Sequence, residues 1–487
     1  MPDHAELAAA GRPRYVPAAM TMRYVSTRGD GAPCSFREAL FAGLAPDGGL
    51  YVPARWPRFE RDDLAALQGE PYQEVAAQVL APFVEGDLSE AELRALIERA
   101  YAGFDHVAIA PLRQLGAGDW LLELFHGPTL AFKDVALQLL GLLFEHFLAR
   151  GERAITIVGA TSGDTGSAAI EACAGRARMA IVILHPHGRI SEVQRRQMTT
   201  VAAANVHNVA IEGTFDDCQA LLKAMFADDG FRDRLRLAAI NSINWGRIMA
   251  QAVYYVAAAV ALGGPWRRIA FAVPTGNFGD VYAGYVAHRI GLPIAQLIVA
   301  TNRNDILARF FASGAYRAGE VAPTMSPSMD IQVASNFERL LYDLCEGDGA
   351  TVARLLAGFA ARGSLEVSAD ALGRARELFD AARVDEAETA ATMAQMLAAT
   401  GELVDPHTAV GIRAGRACRL DRSTPLVTLA TAHPAKFPDA VHKATGVRPA
   451  LPSRLVDLYE RPERCAVLPN DLAAVQRHIE DLVMETA

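Results

Sequence analysis

From Trp120 onward, short apolar runs alternate with stretches of helical periodicity, and glycine-bearing turns separate the two. The runs at 120–125 (WLLELF), 154–160 (AITIVGA), 179–185 (MAIVILH), 206–213 (VHNVAIEG), 269–273, 294–300 and 426–430 have the length and bounding turn residues of buried strands. Between the first two, Phe132, Val135, Ala136, Leu139, Leu140, Leu143, Phe144 and Phe147 recur as one helical face. That spacing predicts a helix with Lys133 in its first turn, beside the buried face rather than on it. Strands alternating with helices predict an α/β architecture.

The flanks have different patterns. Residues 1–19 show neither period and are expected to be disordered. From 20 to 105, turns (STRGDGAP, APDGGLYVP) give way to helical patterns such as DLSEAELRALIERAYAGF, which predicts a small, mostly helical N-terminal domain. The main region is expected at 106–460. Within it 154–240 forms a smaller α/β domain, and 106–153 with 241–460 forms a larger one. Residues 302–400 are more polar and helical, with long helices expected at 368–383 and 386–400. Residues 461–487 read as a tail helix.

Composition narrows the function classes. The 487 residues are 51% hydrophobic, enough for two or three cores, and carry a formal charge of −9. An acidic chain has no broad basic surface for nucleic acid. No run of about 18 apolar residues is present to span a membrane, and the start lacks a secretory leader. A cytoplasmic address is the expectation. Six cysteines stand singly, with no histidine at zinc-ligand spacing, so no metal site is predicted.

Within a Lys+Arg total of 47, the chain has four lysines: Lys133, Lys223, Lys436 and Lys443. Arginine stays protonated, whereas a lysine amine can lose its proton and form a Schiff base, so each lysine invites a chemical reading. Two glycine-bearing strand-to-helix loops, TSGDTGS at 161–167 and PTGNFGD at 274–280, offer backbone N–H groups to anions, with hydroxyls of Thr161, Ser162 and Thr165 beside the first. Asn241, Ser242 and Arg247 either hold a phosphate or carboxylate or, in the case of the first two, cap the following helix. Thr431 ends a strand where α/β sheets place ligand contacts. Lys436 follows it, near the same rim or in a surface salt bridge.

Seven motifs in order, HGPTLAFKD, GATSGDTGSAA, HPHGRISEVQRRQMTT, NSINWGRI, PTGNFGD, DPHTAVG and TAHPAKFPDAV, make the stretch from Met22 to about Glu460 resemble the threonine synthase family, in its bacterial and fungal branch. The resemblance implies two open α/β/α domains of the tryptophan-synthase-β-like fold, fold type II of the pyridoxal-phosphate enzymes, plus the N-terminal domain. It implies pyridoxal 5'-phosphate as cofactor and Lys133 as the lysine that carries it. Gly276, Asn277 and Phe278 would surround the cofactor phosphate, with Gly279 and Asp280 opening the helix behind, and Thr431 would face the pyridine nitrogen. Ser162, Gly163, Asp164 and Thr165 would close over the substrate carboxylate. Asp164 stands where many relatives in the wider fold have Asn, which gives its N–H more weight than its side chain. Thr165, Asn241, Ser242 and Arg247 would take the substrate phosphate.

The implied reaction turns O-phospho-L-homoserine and water into L-threonine and phosphate, in a monomer or homodimer whose smaller domain moves to close the site. Competing expectations are another lyase of the fold, such as a threonine or serine dehydratase or a sulfonate-adding relative, and a non-catalytic homologue that binds a phosphorylated metabolite.

Overall fold

In the computed structural model, which describes residues 21–151 and 153–486, the apolar runs pair into two main sheets. The larger has six strands in the order Phe379–Arg383, Ile294–Thr301, Ile269–Pro274, Leu426–Ala430, Asp119–Glu123 and Leu112–Gln114. Its pairs are parallel except the last, a hairpin. The smaller has five strands, all parallel, in the order Ala466–Pro469, Val206–Glu212, Met179–Pro186, Ile155–Ala160 and Leu237–Ala238. Parallel strands need crossover helices, which cover both sheet faces. That is why Met179–Pro186 and Ile269–Pro274 are buried at every residue and print in the sequence as unbroken apolar runs.

The N-terminal part joins an antiparallel pair, Tyr24–Ser26 with Tyr51–Pro53, to helices Phe36–Ala42, Arg61–Ala65, Tyr72–Leu80 and Glu90–Tyr101. Ser89 and Glu92 close a capping box at the start of the last, which satisfies its first amides. The unit is fastened to the larger sheet's helices by polar contacts inside an apolar core. Tyr24 donates to the Phe83 carbonyl at 2.6 Å and accepts from Trp245 Nε1 at 3.1 Å.

Helix Lys133–Leu148 runs through the middle. Every residue of it except Glu145 and His146 is buried, because helices Glu90–Tyr101, Asp164–Cys173 and Trp245–Ala261 pack around it. The expectation that Lys133 lies off a single buried face is therefore corrected: the helix is buried on nearly all sides, and Lys133 with it. Gly141 permits the closest of these approaches, since a Cβ there would lie 2.2 Å from the Ala172 carbonyl oxygen.

Three further expectations change. The stretch 368–383 is not one helix but helix Ala369–Arg376 followed by strand Phe379–Arg383, which pairs with Ile294–Thr301. A five-residue edge strand half-buried along most of its length carries no long apolar run to announce it. The section 302–400 also contains an antiparallel pair, Ala315–Arg317 with Ser364–Glu366. The tail has helix Leu472–Thr486, but Ala466–Pro469 before it completes the smaller sheet, and Val475 and Ile479 enter that sheet's core beside Cys218, Met225 and Phe231. Residues 1–19, expected to be disordered, lie outside the described residues. Among the described residues no helix is long and apolar enough to cross a membrane.

Candidate active site

The loop before Lys133 is held from both sides. Asp134 folds back on it, accepting from Thr129 N at 2.7 Å and Thr129 Oγ1 at 2.6 Å. Burial pushes the Asp134 carboxyl up to about 6, against the pull of those donors. On the other side the loop zips to the end of strand Leu426–Ala430: Phe132 N donates to the Thr431 carbonyl at 2.8 Å, and His433 N to Leu130 O at 3.0 Å. Leu130 takes a left-handed φ of 64° to make this register, a costly conformation for a branched side chain. Lys133 and Thr431, far apart in sequence, are thereby neighbours.

Lys133 is 9% exposed, and its Nζ lies 3.3 Å from Asp164 Oδ2. Burial pulls the Lys133 amine below the usual lysine range, Asp164 opposes it, and the positive charges of Lys436 and Arg247 add to the fall. An amine depressed in this way has a larger neutral fraction, which is the nucleophilic form.

Asp164 opens the helix that follows strand Ile155–Ala160, so it comes from the smaller sheet. Its carboxylate is 4% exposed and receives four groups: Lys133 Nζ and Ser328 Oγ, the latter at 3.0 Å, on Oδ2, and Lys436 Nζ at 3.0 Å and Gln194 Nε2 at 2.8 Å on Oδ1. Burial alone would raise this carboxyl, but Lys436, Lys133 and the Gln194 amide outweigh it and hold it well below the usual range. All four partners of this side chain are groups of the protein itself. Lys436 is not a surface residue. It is fully buried, and its Nζ also donates to the Thr129 carbonyl at 2.7 Å.

In the rest of the TSGDTGS loop, Thr161 Oγ1 accepts from Gly163 N at 3.0 Å and Gly166 N at 2.9 Å. Those two amides are spent on folding the loop rather than on an anion. Gly163, at φ 140°, leaves no room for a side chain, because a Cβ would meet the Gln194 amide at 2.5 Å. Ser162 is exposed and Thr165 half-buried.

PTGNFGD turns on Phe278, in the left-handed region at φ 63°, and delivers helix Gly279–Arg289. A Cβ on Gly276 would lie 2.8 Å from the Ser328 carbonyl, so the loop's backbone is left bare. Asp280 faces away from the loop amides, accepting from the hydroxyls of Tyr254 and Tyr255. Burial pushes its carboxyl up to about 7 against those donors. Asn277 Nδ2 reaches Ser242 Oγ at 3.2 Å, which joins this loop to NSINWGR.

The helix cap there is Asn244, which accepts from Gly246 N at 3.0 Å, so Asn241 and Ser242 are not the caps. Arg247 is 3% exposed, and its Nε and Nη1 have no hydrogen-bond partner. Burial pulls its guanidinium down to about 10, which still leaves it charged at neutral pH. A buried guanidinium with open donors is costly unless an anion completes it.

Several participants carried no sequence signal of their own. Ser328 links Asp164 to His407, whose Nε2 accepts from Ser328 N at 3.2 Å while its Nδ1 meets Asp405 Oδ2 at 2.6 Å. Gln194 and Ser328 are neutral residues inside loop and helix patterns. Lys436 was visible through the scarcity of lysine, but its burial was not.

A phosphorylated aldehyde cofactor fits these residues: a buried, depressed lysine, a bare glycine loop at a helix start, and a strand-end threonine beside the lysine. The comparisons agree. Residues 23–101 match the model of the threonine synthase N terminus, 105–431 that of pyridoxal-phosphate dependent enzymes, and 408–479 that of the threonine synthase C-terminal region. Threonine synthase from Pseudomonas aeruginosa is 58% identical over 460 residues, covering 94% of this chain and 98% of its own. The crystal structure of PLP-bound threonine synthase from Brucella melitensis superposes with a TM-score of 0.93 at 52% identity, covering 95% of this chain and 99% of its own. That of threonine synthase from yeast gives 0.90 at 39% identity, covering 95% and 99%. On its motifs, its fold and these likenesses, the chain belongs to the threonine synthase family.

Proposed function

We infer that this protein is a threonine synthase, a pyridoxal-phosphate-dependent lyase that forms L-threonine and phosphate from O-phospho-L-homoserine and water. The observation that carries the substrate assignment is the buried, unpartnered guanidinium of Arg247. A dehydratase of the same fold has no substrate phosphate to bind beside its lysine, and a phosphometabolite-binding protein has no need of a depressed lysine. A small-molecule partner, a cytoplasmic address and a monomeric or homodimeric state accompany this reading.

Pyridoxal phosphate, when bound, supplies a carbonyl for amines to condense with and an electron sink for carbanions at the substrate carbon. Lys133 would hold it covalently, the bare amides of Gly276, Asn277, Phe278 and Gly279 would hold its phosphate with Asp280 anchoring the helix behind them, and the Thr431 hydroxyl would face its ring nitrogen. A hydroxyl keeps that nitrogen less protonated than a carboxylate would. With the cofactor carrying the substrate, the Lys133 amine would be free to take a proton from the substrate Cα and later return one. Arg247, with Asn241, Ser242 and Thr165, would steady the phosphate as negative charge gathers on it. The TSGDTGS loop, through Ser162, Gly163, Asp164 and Thr165, would cover the substrate carboxylate and keep bulk water from the reacting carbons.

The direct test is product analysis with phosphohomoserine and added pyridoxal phosphate. Threonine and phosphate should appear in equal amounts, and Lys133→Ala should abolish both together with the protein's violet absorbance. Phosphate release with a keto acid in place of threonine would move the protein to another lyase of the fold.

A further inference from the structure

Two of the chain's four lysines converge on one carboxylate. Asp164 comes from the smaller sheet's loop, whereas Lys133, Lys436 and Ser328 come from segments around the larger sheet. Lys436 therefore ties the two parts together independently of Lys133. Its second bond, to the Thr129 carbonyl, ends on the loop that positions Lys133. The same carbonyl accepts from Gln197 Nε2 at 3.1 Å, and Gln197 lies on the helix that supplies Gln194 to Asp164.

Charge balance separates the two lysines. On the reading above, Lys133 must leave Asp164 whenever its nitrogen is bonded to the cofactor. Asp164 then keeps Ser328 and Gln194, both neutral, and Lys436. Two neutral donors do not repay the burial of a carboxylate, whereas an ammonium at 3.0 Å supplies the opposite charge. An arginine has no compact ammonium to place between a carboxylate and a carbonyl in a fully buried position, which gives a reason for lysine in an arginine-rich chain.

We propose that Lys436 is a positioning residue of the reaction: it keeps the Asp164 carboxylate ionised and docked against the lysine loop while Lys133 is engaged elsewhere, and so holds the smaller domain's TSGDTGS loop over the site. The proposal rests on Lys133 being the cofactor lysine. The charged and titratable groups facing the pair are Lys133 and Asp134 from the central helix, Arg247, His407 and His433.

The test uses Lys436→Met, Lys436→Arg, Asp164→Asn and the Lys436→Met/Asp164→Asn double variant of the full chain. In Lys436→Met, kcat should fall roughly tenfold or more, with a smaller change in KM. The acid limb of its kcat profile should move up by about one pH unit or more, because an Asp164 stripped of its ammonium takes up a proton more readily. Lys436→Arg, which keeps the charge, should restore the acid limb without restoring the full rate. The same variants loaded with cofactor but without substrate, where Lys133 is engaged, give a second readout that does not depend on turnover. Lys436→Met should lower the thermal midpoint, and adding Asp164→Asn should recover most of the loss, since it removes the stranded carboxylate. An unmoved acid limb in Lys436→Met, or additive thermal losses in the double variant, would overturn the proposal. A wild-type protein that makes no threonine but shows the thermal coupling would instead overturn the assigned reaction and leave the pairing standing. Should Lys436→Met not fold, the double variant and Lys436→Arg carry the same comparison.

Discussion

Arg247 shows at the scale of one residue how a fold can bury a group that its own contacts do not satisfy. Its guanidinium is buried with two nitrogens open, a state that folding does not favour and an anion completes. Arg247→Met is therefore expected to stabilise the ligand-free protein, by about 1–3 kcal/mol, while removing most of its phosphohomoserine affinity. Thermal melts without ligand check the first part. With the cofactor bound, inorganic phosphate should raise the wild-type midpoint and leave that of the variant in place. An equal loss of cofactor binding would take Arg247 out of the substrate-phosphate role. Asp164 makes the complementary case. Its charge is stabilised by its surroundings where Arg247's is not, and both conditions follow from which partners the fold brings within 3.3 Å.

Among the elements, the central helix Lys133–Leu148 tests packing against propensity. Alanine is worth about 1 kcal/mol more than glycine inside a helix, yet a Cβ at Gly141 would sit 2.2 Å from the Ala172 carbonyl of the adjoining helix. Backbone cannot give way there, so Gly141→Ala should destabilise by about 1–3 kcal/mol, read as a lower midpoint in chemical denaturation. This helix was legible as an element because its apolar residues repeat, and so were the parallel strands, whose burial on both faces writes an apolar run. What was not legible depends on contacts between distant segments. Phe379–Arg383 becomes a strand because Ile294–Thr301 offers it an edge, against a local pattern that reads as helix. Asp164, Ser328, Gln194 and His407 became a network only once two sheets had met. A single buried lysine has no period, so nothing around Lys436 separated it from a surface cation.

For the molecule as a whole, Arg339 joins three regions that the sequence keeps apart. It is fully buried, and donates to the Tyr51 carbonyl at 3.0 Å, the Ile243 carbonyl at 2.6 Å and the Asn336 side chain. The N-terminal strand pair, the segment carrying Asn241 and Ser242, and the section after Asn302 thus share one side chain. Arg339→Met should strand these acceptors and cost about 2–4 kcal/mol. It should also weaken phosphohomoserine binding more than cofactor binding, a split that equilibrium titrations of both ligands would expose. The N-terminal unit thus bears on the segment that carries Asn241 and Ser242 through one side chain. The strand Ala466–Pro469 has a consequence for how the molecule is made. Val206–Glu212 leaves the ribosome well before the strand that covers its edge and the helix that seals Cys218, Met225 and Phe231. Until they follow, the half-built sheet presents an open edge and an uncovered apolar face, the condition in which partly made chains associate with one another.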